Sequence, residues 1–382
     1  MFRGPVLSAD SAGAGCAART EDGSMQGYMR FGGSVAIVLA ALAAHGQLTV
    51  NPKVALTNPA ALDQDDMCIW LHPEDPALSM VIASDKKANM LFVYSMTGET
   101  LQSISVEGKP GNIDLRYGFP LDGKEVDIAA FNERDRSAIH VYIIDLRTRL
   151  LSRADDKSIA TGPNYGFCLY RSRRSGKFYA FVVSDEHGQG VEQYELHATE
   201  SGQIGGERVR SWKLGKSEGC VADDETGALY VGEEERGIWK FGAEPSDPDD
   251  GTLIAEVGTH GLEADVEGLT LWRGTEGQGY LIASSQGNGQ FKVFERKPPH
   301  AYVKTFTVAG AGDTDGIDLL NADLGPKFPN GVFALHNGNE NPCPVLLCDL
   351  RALGLEPAGF LLNPREWRRA VPNADNQLDR PR

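Results

Sequence analysis

Hydrophobic and polar positions alternate in a recurring order. From Glu218 to Phe241 the chain reads EGCVADDETGALYVGEEERGIWKF. A short apolar run follows an acidic residue, then a turn at Thr226-Gly227, a strand-like ALYVGE, an acidic turn and a strand-like GIWKF. The same order returns in VIASDKKANMLFVYSMTG near Val81, VDIAAFNERDRSAIHVYIID near Val126, FYAFVVSDEHGQGVEQYEL near Phe178, YLIASSQGNGQFKVFER near Tyr280 and VFALHNGNENPCPVLLCDL near Val332. These six copies recur with a period of about 50 residues, which suits blade-type β repeats. Each copy predicts two strands around a polar turn, with a shorter strand ahead of them. The expected fold is an all-β, six-bladed propeller spanning residues 51–362 of the 382.

Outside the repeats the pattern changes. Residues 1–24 are rich in Gly, Ala and Ser without periodicity. From Met29, Arg30 precedes the apolar run SVAIVLAALAA and then small residues up to Gly46, which is the order of a secretory signal peptide. Leader residues 1–46 are therefore expected to be removed, with cleavage between about Ala43 and Gln47, leaving a secreted or periplasmic protein. The segment 363–382, rich in Arg, Asn and Pro, is expected to be a disordered tail.

A formal charge of -16 argues against nucleic acid as a partner and for cations. Beyond the leader stand Cys68, Cys168, Cys220, Cys343 and Cys348, an odd set without CxxC spacing. That set reads as buried thiols rather than a disulfide framework or a zinc site, with a Cys343–Cys348 pairing left open.

Candidate chemistry emerges when the copies are superposed. A short run led by a polar residue precedes each copy's second strand, and the leading positions are Asp66, Gly111, Tyr165, Glu218, Glu267 and Asp315, with Asp114 and Asp318 matching three residues later. In a propeller the first strand of each blade lines the central channel, so equivalent positions form a ring at one mouth. Bare carboxylates about 4 Å apart repel by roughly 4 kcal/mol a pair at an effective dielectric near 20. Oxygen ligands without a His or Cys cluster favour Ca²⁺ over Mg²⁺.

The segments DDMCIWLHP, NIDLRYGFPLDGKEVDIAA, YGFCLY with GKFYAF, EGCVADDETGALYVGEEERGIW, DVEGLTLW with GQGYLIASSQGN, and DTDGID with LGPKFPNG resemble the β-propeller phytases, also called alkaline phytases. They stand in the family's order over residues 60–335. The resemblance implies a six-bladed propeller that uses several Ca²⁺ ions to hydrolyse phosphate monoesters of phytate (myo-inositol hexakisphosphate), a monomer free of membrane association. Carried over by position, it puts calcium ligands at Asp65, Asp114, Glu218, Glu233, Asp265, Glu267 and Asp315, beside Asp66 of the ring. It puts phosphate contacts at Lys86, Arg134 and Tyr165, and His187 stands where the third repeat of the family has a basic residue. Glu218, Glu233, Lys86, Arg134 and Tyr165 would form the catalytic set. Lys86 and Arg134 follow the second strands of the first two copies, so both can reach the ring.

The chain departs from the family at Ala309 and in the shortened loop HNGNENP, which puts a structural calcium site of the last repeat in doubt, and separately at Gly111, where one of a pair of Asn residues is lost and Asn112 is kept. No Ser-His-Asp order is evident, and His72, His140 and His187 are scattered. Two other classes fit a calcium-bearing propeller: a lactonase-type hydrolase, which needs one metal and no basic grip on phosphate, and a non-catalytic scaffold, which calls for an apolar mouth.

Overall fold

The computed structural model describes residues 47–155, 157–185 and 190–355. The leader, His187 and the tail after residue 355 lie outside them.

The middle strands explain why the pattern reads as it does. Met80–Asp85, Phe178–Val183 and Val332–His336 are buried at every position, because each is covered on both faces. Outer strands such as Thr100–Ser105 face water on one side. Strands of this kind assemble into six antiparallel sheets arranged as the blades of a propeller. The first blade runs from Gln64–Trp70 outward to Thr100–Ser105 and the second from Pro110–Leu121 to Leu151–Arg153. The third runs from Gly166–Arg171 to Ile204–Trp212, the fourth from Ser217–Asp223 to Thr252–Glu256, and the fifth from Val266–Arg273 to Tyr302–Val308. Ile317–Leu320 opens the sixth blade, whose third strand is Val345–Asp349. Aromatic pairs fill the spaces between sheets, among them Phe291 edge-on to Phe333 at 5.2 Å.

The sixth blade takes its outer strand from the other end of the chain. Pro52–Leu56 pairs antiparallel with Val345–Asp349, and Leu48–Val50 pairs parallel with the outer strand of the fifth blade. This borrowed strand was not legible in the repeat pattern, which stops at two strands and a shorter one per copy. It ties the two ends of the described chain into one sheet and covers the outer edge of Val345–Asp349.

Each first strand packs against the first strands of both neighbouring blades, so the six form a closed ring about the axis. Around this ring the backbones come very close at one level. A Cβ on Gly166 would sit 1.8 Å from the Glu218 carbonyl oxygen, one on Gly219 2.0 Å from that of Glu267, and one on Gly268 2.4 Å from that of Asp315. Hydrogen bonds use the approach: Gly268 N–H donates to Asp315 O at 2.8 Å and Gly316 N–H to Asp65 O at 3.0 Å. The ring encloses a channel cavity of about 80 Å³ lined in part by Asp66, Asn112, Asp114, Arg116 and Asp318.

Gly219→Ala should therefore force the fourth and fifth blades apart at the axis. An overpacked backbone contact of this kind costs about 1–3 kcal/mol. A denaturant melt should show that loss, whereas Gly123→Ala, with open space at its Cβ position, should lose only what its positive φ of 72° imposes.

Candidate functional site

Strand register decides which residues meet at the mouth. In the first blade Gln64 pairs with Asp85, and the next pair is Met67 with Ala83; the same irregularity follows Pro110, Ser217 and Val266. One residue after each paired position stand Asp65, Gly111, Glu218 and Glu267. Tyr165, immediately ahead of Gly166–Arg171, and Asp315 complete that level.

Asp65 therefore occupies the ring position that the sequence reading gave to Asp66. Asp66 points instead along the channel wall, where its Oδ2 accepts the Ile113 N–H at 2.9 Å and its Oδ1 fills the space beside Gly316. Burial pushes its carboxyl well above the usual range. Two adjacent acids look alike in sequence, and only the irregular pairing tells them apart.

A second displacement concerns the acidic turn of the fourth blade. Glu233 ends a strand and its Oε2 accepts Trp239 Nε1–H at 2.7 Å, away from the ring. Its neighbour Glu234 faces the mouth, buried, with Lys216 Nζ 2.5 Å from its Oε2. Successive side chains at a strand end point to opposite sides, so choosing within the run Glu233-Glu234-Glu235 requires knowing where the strand stops. Asp114 is also set apart: it lies within the channel, where its Oδ2 accepts the N–H of Leu169 and a hydrogen bond from Arg116, each at 2.9 Å. Burial, with Asp114 close by, pushes Asp318 up to about 7. Asp114 and Asp318 thus fasten neighbouring blades, Asp318 through the Ile69 N–H at 2.9 Å.

The mouth itself alternates acids with bases. Lys86 Nζ lies 2.7 Å from both Asp65 Oδ1 and Asp315 Oδ2. Arg134 reaches Asp65 at 3.2 Å and Glu218 at 2.6 Å, and its guanidinium lies 4.3 Å from the centre of the Tyr165 ring. Lys216 approaches the same ring at 5.4 Å. Burial alone would raise Asp65, but Arg134 and Lys86 outweigh it and hold the carboxyl far below the usual range. Asp315 is pushed up to about 8 by burial, with Asp65 and Glu218 adding repulsion that Lys86 offsets only in part. Burial raises Glu267 strongly, and Glu218, Glu234, Asp315 and Asp265 add to it. Asp265 itself is half-buried at the rim.

Glu218, Glu234 and Glu267 each offer a carboxylate oxygen, all within 4.8 Å of one another and all buried. Glu234 Oε1 and Glu267 Oε2 have no hydrogen-bond partner. Three converging acids with two unpaired buried oxygens are a candidate metal cluster, and an all-oxygen donor set suits a hard cation.

Six blades whose mouth gathers a candidate metal cluster beside Lys86, Arg134 and Tyr165 define a β-propeller with one densely charged end. The particular family is shown by its sequence: residues 33–343 match the Phytase family, and the chain belongs to it. A 3-phytase of Bacillus subtilis (strain 168) is 41% identical over 312 residues, covering 78% of this chain and 80% of that protein. Among solved structures, a luciferin-regenerating enzyme aligns with a TM-score of 0.51 at 10% identity, over 78% of this chain and 95% of that one, a likeness of fold alone.

The raised carboxyls set a pH dependence for the metal-free protein. Asp315 holds its proton up to about 8 when folded, against 3.8 ordinarily, so within that window the folded state carries more protons than the unfolded chain. Stability must then fall as pH rises through the window, and Glu267 and Glu234 act with the same sign. Asp65, held low, has the opposite sign, but its contribution is lost only as pH falls below the ordinary carboxylate range. Melting temperatures in chelator should decline steadily from pH 5 to pH 8; a flat or rising profile would contradict the assignment.

Proposed function

We propose that this protein is a calcium-dependent phytase of the 3-phytase type, hydrolysing phosphate monoesters of phytate with water as the nucleophile. The observation that carries the reading is that Lys86, Arg134 and Tyr165 stand on the same mouth as the buried acids Glu218, Glu234, Glu267 and Asp315. Membership of the phytase family supports the activity.

Phytate is a dense polyanion, so a mouth of bare carboxylates would repel it. Glu218, Glu234 and Glu267 are the residues that would hold calcium, with Asp65, Asp265 and Asp315 around them. Calcium, when bound, supplies positive charge for phosphate oxygens and acidifies water. The protein's own groups do the rest. Arg134, stacked on Tyr165, presents a planar fork suited to two phosphate oxygens, and Lys86, held with it on Asp65, adds a point charge. Both are engaged by acids in the metal-free protein; cations among those acids would free them for substrate. The buried floor of the mouth limits bulk water beneath the reacting phosphate.

A lactonase-type site requires no such basic pair, and a passive scaffold requires no buried acids. With the leader read from the sequence, we assign the protein to the periplasm or the extracellular space, acting as a monomer. Phosphate release from phytate with calcium, abolished by chelator, tests the reading; release that is indifferent to chelator would sink it.

Arg134→Ala removes a charge-assisted contact of about 1.5–3 kcal/mol. KM for phytate should rise roughly 10- to 100-fold, with kcat changed much less, and unchanged steady-state kinetics would make Arg134 a structural neighbour only.

Glu267→Gln and Glu234→Gln should each weaken calcium binding by about tenfold or more, since fewer charged ligands lower affinity. In chelator neither variant should melt below the wild type, because each relieves repulsion. Glu233→Gln should bind calcium as the wild type does. Calorimetric titration that finds the Glu233 variant defective and the Glu234 variant normal would reverse the assignment within this turn.

A further inference from the structure

We propose that Asp63, His336 and Cys343 form a second metal site, separate from the acidic mouth, for a borderline divalent cation of the zinc class, with solvent completing the coordination. One ligand atom of each lies within 4.8 Å of the other two. The donor set is one carboxylate, one imidazole and one thiol, which suits zinc and cobalt; calcium, which takes six to eight oxygens, finds too few here.

An independent observation points into this cluster. His336 is 2% exposed, and its Nε2 has no hydrogen-bond partner although it faces Asp63 Oδ1 at 3.7 Å. The other ring nitrogen, Nδ1, accepts the Asp315 N–H at 3.1 Å, which fixes the ring's orientation. A buried nitrogen aimed at a carboxylate and a thiol, and bonded to neither, is a group awaiting a ligand.

The backbone holds the three residues in place. Asp63 and Cys343 form an isolated parallel bridge, and the Gln64 side-chain amide donates to the Cys343 carbonyl at 3.1 Å. His336 ends the second strand of the sixth blade. Asp63 and Cys343 are both partly exposed, so solvent can fill the fourth position of an open tetrahedral site. Lys86 is the nearby cation, and its ammonium is already engaged by Asp65 and Asp315.

Binding would release the Cys343 thiol proton to solvent. The imidazole proton would move from Nε2 to Nδ1, where Asp315 Oδ2 at 3.6 Å replaces the backbone N–H as its partner. Because Asp63 leads into the first blade and Cys343 precedes the last strand of the sixth, the cation would clamp the junction at which the propeller closes.

The test uses the full-length protein in excess calcium, titrated with cobalt(II) and then zinc(II). One equivalent of cobalt should give thiolate charge-transfer absorption and raise the melting temperature, and zinc should abolish the absorption. Cys343→Ser should lose both effects while still hydrolysing phytate with calcium, which separates this site from the proposed activity. Asp63→Asn should weaken cobalt binding by about tenfold or more. Cys343 is the one partly exposed cysteine among the described residues, so zinc should also protect it from alkylation in the wild type, whatever the fate of the variants. Absence of the charge-transfer band at saturating cobalt, its persistence in Cys343→Ser, or alkylation of Cys343 at an unchanged rate in zinc would each overturn the proposal.

Discussion

Close approach of backbones at the channel mouth governs the rest of the molecule. Gly166, Gly219, Gly268 and Gly316 leave room for the neighbouring first strand at the level where Glu218, Glu267, Asp315 and Asp65 stand. The packing that closes the propeller therefore also drives acidic side chains from different blades into one small, dry volume. Charge density at the mouth is a consequence of ring closure, and any means of tolerating it must be built into the same few residues. In the metal-free protein Lys86, Arg134 and Lys216 serve that purpose as counter-ions.

This arrangement gives those bases two states. Bound to acids, they hold the mouth together at the expense of being unable to greet an anion. In the calcium-dependent reading proposed above, cations among the acids would release the same side chains toward phosphate without any change of fold. Asp315 and Glu267 are raised first by burial and then by the acids around them, which the bases offset only in part.

Much of this was legible in the chain, and the failures have physical causes. The six repeats, the ring of Tyr165, Glu218, Glu267 and Asp315, and the positions of Lys86 and Arg134 after second strands follow from periodicity, because every blade repeats one register. Choices between adjacent acids did not follow: Asp65 against Asp66 depends on an irregular strand pairing, and Glu234 against Glu233 on where a strand ends. Asp114 carries the same residue type as the ring, yet its position three residues deeper makes it a fastening between blades. His336, Asp63 and Cys343 could not be connected from sequence, since they meet only through the closure of the first and last blades. Of the scattered histidines, His72 accepts backbone N–H groups of its own turn at 3.0 and 3.2 Å, and His140 Nδ1 lies 3.5 Å from Asp155 Oδ2.

The strand borrowed by the sixth blade bears on how the chain is made. Pro52–Leu56 emerges early in synthesis, but its partner Val345–Asp349 is among the last segments to be produced. Until then the early strand has no place to pair, and a contact of such long range is slow to form. A chain interrupted before Val345 leaves Pro52–Leu56 without its partner and the sixth blade with an open edge exposed to proteases and to other chains. The fold thus carries a checkpoint late in synthesis: only a chain extended through Asp349 can join Pro52–Leu56 and the last blade in one sheet.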